Sequence, residues 1–168
     1  MAKRKFEKCS LGKEALPPAI PLIIKGNYKY DLERNELLKQ SESKSSELQL
    51  VPEAIDLLKL IEKPIAVVAI CGPYRTGKSY FLSRFIGVKN CFQVGHTTNV
   101  CTHGIWMGTT VLECDDFTLV LLDTEGIDAV SSTGASDASI LVMTILLSSY
   151  LIYNSIRVPT KSDLDKLR

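Results

Sequence analysis

Apolar and polar positions divide the chain near residue 64. Before it the apolar runs are short. Ala19 to Lys25 is a Pro-flanked apolar stretch, Gly26-Asn27 is a turn signal and Tyr28 to Leu32 resumes an extended pattern, which predicts a short hairpin. Residues Glu36 to Gln49 are dominated by Ser, Glu, Lys and Gln. They hold too few bulky apolar groups to offset their ordering entropy, so a mobile loop or insertion is expected at 36–49. Pro52, then Ile55, Leu57, Leu58 and Ile61 in roughly helical register, then Pro64, outline an amphipathic helix with a stop.

From Pro64 the pattern changes. Ile65 to Cys71 is a continuous, largely β-branched apolar run ending in a glycine-containing loop, as a central parallel strand buried on both faces should read. Tyr80 to Ile86 reads as a helix closed by Gly87, and Gly95 to Gly104 as a loop. Strand-like Ile105 to Leu112, a turn at Asp115-Asp116 and a buried strand from Phe117 to Leu122 follow. After a polar loop from Asp123 to Asp137, Ile140 to Leu147 is long enough for a helix and Tyr150 to Ile156 reads as a further strand. No internal repeat is visible.

Composition narrows the class. With 168 residues, 45% hydrophobic and 23% charged, the chain reads as one modest globular domain. Twenty Lys and Arg against nineteen Asp and Glu leave a net charge of +1, so no global field steers it onto nucleic acid, and a polyanion must be held locally. Cys9, Cys71, Cys91, Cys101 and Cys114 are odd in number, with no C-x-x-C pair and no secretory leader, which points to reduced thiols and a cytoplasmic location. The apolar run from Ile140 to Tyr153 is shorter than the ~20 residues that cross a bilayer and is interrupted by Thr144, Ser148 and Ser149. Any membrane association is expected only through regions beyond this chain.

Gly72-Pro73-Tyr74-Arg75-Thr76-Gly77-Lys78-Ser79 matches G-x-x-x-x-G-K-[ST] between a predicted buried strand and a helix, the context that the motif requires. The glycines let the backbone curl so that N–H groups and the helix N-terminus face the β-phosphate. Lys78 would reach the β- and γ-phosphates, and Ser79 would offer a hydroxyl to Mg²⁺. Asp123, at the end of the Leu119 to Leu122 run, can reach the Mg²⁺ shell, usually through water. Gly126 lets a backbone N–H approach the γ-phosphate without a Cβ clash. Such a D-x-x-G favours a switch-type GTPase over an ATPase. Thr102, in a loop entering the next strand, can close over Mg²⁺ and the γ-phosphate. The predicted fold is therefore α/β: a P-loop NTPase with a mostly parallel, doubly wound sheet and nucleotide at the carboxyl ends of the strands.

The P-loop, Thr102-His103-Gly104-Ile105-Trp106-Met107, Leu122-Asp123-Thr124-Glu125-Gly126, Leu146-Leu147-Ser148-Ser149 and Tyr153-Asn154-Ser155-Ile156 together resemble the GTPase domain of guanylate-binding proteins, with atlastins as more distant cousins in the dynamin superfamily. The likeness covers roughly residues 20 to 168 and implies a flexible N-terminus over 1–18 followed by a partial G domain over 19–168, with 36–49 as an insertion. It implies GTP and GDP as ligands, Mg²⁺ as cofactor and a nucleotide-dependent homodimer through the G domain. By resemblance, Gly72, Tyr74, Arg75, Thr76, Gly77, Lys78, Ser79, Tyr80, Thr102, Asp123 and Gly126 bind nucleotide, and Ser79, Thr102 and Asp123 hold the metal. Thr102 is the first-switch threonine and Glu125 an organiser of the water and switch network. Arg75 resembles the family's arginine finger, and the catalytic set is Arg75, Lys78, Thr102 and Glu125. A guanidinium on transition-state charge can contribute on the order of 10³ to 10⁵ in rate.

Two departures stand against the pattern. Val100 replaces a serine two positions before the switch threonine, and the family's guanine-reading Arg-Asp pair lies further downstream than Arg168. The chain is thus expected to be a C-terminally truncated G domain with an unpaired sheet edge and uncovered apolar surface. An alternative is a non-catalytic nucleotide-binding or interaction fragment lacking the base site; an ATP-using enzyme is a third reading, disfavoured by D-T-E-G. Thr160-Lys161-Ser162-Asp163 superficially matches a guanine motif but lacks the buried strand that should precede it. His96, Cys91, Cys101 and His103 are too irregularly spaced for zinc.

Overall fold

The computed structural model describes residues 7–12, 16–40, 47–89, 91–92, 104–124, 126 and 134–156. In chain order the strands are β1 (Glu7–Ser10), β2 (Ala19–Lys25), β3 (Tyr28–Asp31), β4 (Glu36–Lys39) and β5 (Leu48–Leu50). Helix α1 (Pro52–Leu58), β6 (Ile65–Cys71) and α2 (Lys78–Ile86) follow. The last elements are β7 (Ile105–Gly108), β8 (Thr110–Glu113), β9 (Thr118–Thr124), α3 (Gly134–Leu147) and β10 (Tyr150–Tyr153).

Eight of these strands form one mixed sheet, and β3 and β4 form a separate two-stranded one. β6 runs parallel to β9 on one side and to β10 on the other. β7 and β8 both pair antiparallel with β9, β2 pairs antiparallel with β7 and β5, and β1 with β8. The sheet is therefore not mostly parallel as expected. The reason is connection length: only Cys114 to Phe117 join β8 to β9, and Cys114 N–H donates to Phe117 O at 2.9 Å. So short a link closes a hairpin, whereas a parallel neighbour needs a crossover of a dozen or more residues. The two parallel pairs are those whose connections carry α2 and α3.

Alternation along the strands splits the core between the two faces. Val67 and Ala69 of β6 and Val120 and Leu122 of β9 join Ile20, Ile105, Met107 and the helix residues Ala54 and Ile140 on one face. Val68, Ile70 and Leu121 meet Leu82, Ile86 and Phe92 on the other. Helices α1 and α3 thus cover one face and α2 the opposite one, which puts the α2 N-terminus at the carboxyl end of β6. Pro52 occupies the first turn of α1, and Gly87 closes α2 in the left-handed region at φ 65°.

Three local expectations change. β2 enters the large sheet instead of pairing with β3; the chain turns at Gly26-Asn27, and β3 pairs with β4. Glu36–Lys39 is therefore strand, as is Leu48–Leu50, within the polar stretch expected to be a loop. Leu37 earns that order by packing against the core, and Tyr30 of β3 meets Trp106 edge-on at 6.3 Å. The long strand predicted from Ile105 to Leu112 breaks at Thr109, whose N–H and hydroxyl bond Pro18 O at 3.0 Å and Pro17 O at 2.7 Å where the neighbour changes from β2 to β1.

Among the described residues the outer edge of β10 has no strand partner, and α3 exposes Val142, Ile145, Leu146 and Leu147. Among the same residues no helix is long and apolar enough to cross a membrane.

Candidate phosphate-binding site

Residues 72–77 link the carboxyl end of β6 to α2. Gly72 has φ 137°, and a Cβ there would run into the backbone carbonyl oxygen of Asn154. Gly77, at φ 84°, caps α2, and Arg75 takes a left-handed φ of 59°, uncommon for a side chain with a Cβ. A loop that holds an anion must turn its carbonyls elsewhere. Here the buried Lys78 ammonium donates to Gly72 O at 3.2 Å and Pro73 O at 3.0 Å. The Thr76 hydroxyl also donates to Pro73 O, at 3.0 Å, and the Asn154 carboxamide donates to Thr76 O at 2.8 Å. Those three loop carbonyls are all engaged.

Asp123, at the end of β9, accepts from the Ser79 hydroxyl at 2.5 Å and from the Thr124 N–H at 3.1 Å. The Thr124 hydroxyl ties the same strand end to Ile70 O of β6 at 2.8 Å. Asp123 is 1% exposed, and burial pushes its carboxyl up to about 6; the Ser79 hydroxyl, the Lys78 charge and the Thr124 N–H pull the other way. A buried carboxylate with a hydroxyl beside it suits Mg²⁺, which needs few protein oxygens and takes its other ligands from water and phosphate. Among the described residues no cluster of three or more His, Cys, Asp or Glu could hold a metal by itself, and Cys91 is buried with its thiol pushed up to about 11.

The remaining predicted residues fall around this pair. Gly126 is buried so close to the loop that a Cβ on it would stand 2.5 Å from Tyr74 Cα. Arg75 is exposed, its guanidinium 5.3 Å over the Tyr74 ring. Tyr80 is exposed on α2, in the first turn after the loop. Thr102, Glu125, Val100, His96, Cys101, His103 and the 160–163 motif lie outside the described residues. Sequence reasoning assigned no role to Thr124 or Asn154. Both sit at strand ends inside motifs quoted for the family resemblance, and that position is the signal that could have marked them.

Residues 45–168 match the family model described as the N-terminal domain of guanylate-binding protein. The chain is 41% identical over 128 residues to human guanylate-binding protein 4, covering 75% of this chain and 20% of that protein. It is 42% identical over 123 residues to human guanylate-binding protein 2, covering 72% and 21%. With mouse guanylate-binding protein 7 it shares 41% over 128 residues, covering 75% and 20%. It thus spans about a fifth of the length of these relatives. The phosphate loop, the strand-end aspartate and its glycine all fall within the matched residues, and the chain belongs to the guanylate-binding protein family.

Proposed function

We propose that this chain binds guanine nucleotide at the 72–79 loop and, with Mg²⁺, hydrolyses GTP to GDP and phosphate. The observation that carries the reading is the Ser79–Asp123 hydrogen bond beside the buried Lys78 ammonium, at the carboxyl ends of two adjacent parallel strands. Family membership supports guanine over adenine, since the relatives are named for guanylate binding. Lys78 exchanges its loop carbonyls for phosphate oxygens and neutralises their charge. Ser79 and Asp123 hold Mg²⁺, which supplies charge stabilisation to the phosphates. By resemblance Asp123 and Gly126 form the second switch, with Gly126 lying against the loop at Tyr74, while Thr102 and Glu125 are assigned by resemblance to order the switches and the attacking water. Arg75, exposed beside Tyr74, acts as the arginine finger when two copies meet through their G domains. Free thiols at Cys9, Cys71, Cys91 and Cys114 support a reducing, cytoplasmic setting.

A second reading, a nucleotide-binding or interaction module without turnover, is favoured by the exposed apolar face of α3. Fluorescent GTP and ATP analogues, titrated with Mg²⁺ into the purified chain and its Lys78→Ala variant, test the first reading; single-turnover hydrolysis separates it from the second. Binding lost in the variant is expected. A folded wild-type chain that binds neither analogue refutes the phosphate site, and a clear preference for ATP refutes the guanine assignment.

A further inference from the structure

Asn154, one residue beyond β10, touches the phosphate loop at both of its ends. Its backbone N–H donates to Cys71 O at 2.8 Å, where β6 gives way to the loop. Its own carbonyl oxygen lies against Gly72 so closely that any side chain on that residue would collide with it. Its carboxamide reaches across to Thr76 O at 2.8 Å, 78 positions earlier in the chain. Asn154 is half-buried, and the Thr76 carbonyl it engages belongs to the residue just before the Gly77 cap of α2.

From this geometry we propose that Asn154 is a positioning residue for nucleotide binding: it straps β10 to the phosphate loop and holds the Thr76 carbonyl away from the bound phosphates. The inference rests on the phosphate-site reading above. Its physics is a matter of sign. Phosphate and a peptide carbonyl both carry negative charge at oxygen, so a loop whose Thr76 peptide can rotate loses an inward N–H and gains an inward acceptor. The hydroxyl of Thr76 already secures the Pro73 carbonyl, and Lys78, which secures Gly72 and Pro73 here, must leave them for phosphate. Asn154 brings its donor from a separate strand, and that bond persists when Lys78 moves. Asn154 therefore holds the loop in the same form with and without ligand, so that less ordering remains for the ligand to drive.

The test compares wild type with Asn154→Leu, which keeps the branched outline of the side chain but has no hydrogen-bonding group, and with Asn154→Ala, which cannot overfill the site. Fluorescent GTP and GDP analogues are titrated with Mg²⁺, and amide hydrogen exchange is followed by mass spectrometry in the 72–79 and 118–124 peptides. Loss of one hydrogen bond that orders the loop predicts roughly tenfold weaker binding of both analogues. Exchange should quicken in the loop peptide and stay unchanged in β9. Folded variants that bind as tightly as wild type overturn the proposal. If neither variant folds, exchange quickened equally in both peptides of the partly unfolded chain shows a general structural role and overturns it as well. A folded wild-type chain that binds no nucleotide fails the underlying phosphate site, a result distinguishable because Lys78→Ala and wild type would then behave alike.

Discussion

Asp123→Asn should separate the stability of this fold from its chemistry. Burial lifts the Asp123 carboxyl from 3.8 to about 6, so the folded chain holds that proton more firmly than the unfolded one. The resulting contribution to stability is fully present below pH 3.8 and is lost as pH rises through about 6. A rise of about two units at about 1.36 kcal/mol each amounts to about 3 kcal/mol, of which about 2 falls between pH 4.5 and 7.5. Asparagine does not titrate, and its carboxamide can still accept from the Thr124 N–H and bond with Ser79. Urea denaturation of both proteins in chelator, from pH 4.5 to 7.5, should show the variant gaining about 2 kcal/mol relative to wild type as pH rises. With Mg²⁺ and GTP at pH 7.5 the order should turn back toward wild type, because the carboxylate then has its cation. Stability curves that stay parallel within about 0.5 kcal/mol across the range would overturn this account, since an aspartate that does not resist ionisation cannot be the buried group described.

Gly126→Ala should cost about 1–3 kcal/mol of stability by urea denaturation, because its Cβ would meet Tyr74 Cα at 2.5 Å and Tyr74 N at 2.9 Å, both backbone atoms that cannot swing aside; an unchanged stability means that Gly126 does not rest on the loop. Alkylation of the native chain at pH 7.5, mapped by peptide mass spectrometry, should label exposed Cys9 readily while Cys71 and Cys91, buried with thiols pushed up to about 11, react only after denaturation. Native labelling of Cys71 would mean that the end of β6 opens on its own.

The phosphate loop was legible because its logic is local: residues 72–79 carry the turn, the cation and the hydroxyl in eight positions, and the flanking apolar run and helix confirm the setting. Asp123 was legible for a related reason, since an acid directly after Leu119 to Leu122 can only stand at a strand's end. Pairing partners were not. β2 has the apolar character and length of a strand, but nothing in seven residues tells it to lie between β5 and β7 instead of folding back on β3. Leu48–Leu50 hides within a polar stretch because only its neighbour β2 makes it a strand. Asn154 sat in a recognised motif, yet its partner Thr76 lies too far away in sequence for spacing to reveal. The short turn at Asp115-Asp116 already implied an antiparallel pair, and that arithmetic weighs more than the parallel sheet suggested by the P-loop alone.

That mixed sheet still serves the site, because what the chemistry needs is a common rim and not a common strand direction. β9, β6 and β10 are adjacent and parallel, so their carboxyl ends deliver Asp123, the phosphate loop and Asn154 to one side of the sheet. β7 runs the opposite way, and Ile105 pairs with Thr124, so its amino end stands on the same rim. The chain enters there through Gly104, from the stretch that holds Thr102. An antiparallel neighbour therefore offers its leading loop where a parallel one would offer its trailing loop, and both count toward a nucleotide site. By the same reasoning β8 and β1, whose pairing continues away from that rim, stand apart from the site: β8 contributes buried residues to the core, and β1, exposed at all four positions, covers the edge of β8. Substitutions along β1, exposed at all four positions, should consequently leave nucleotide affinity unchanged, whereas changes at Thr124, bonded to Ile70 across the rim, should move both affinity and stability.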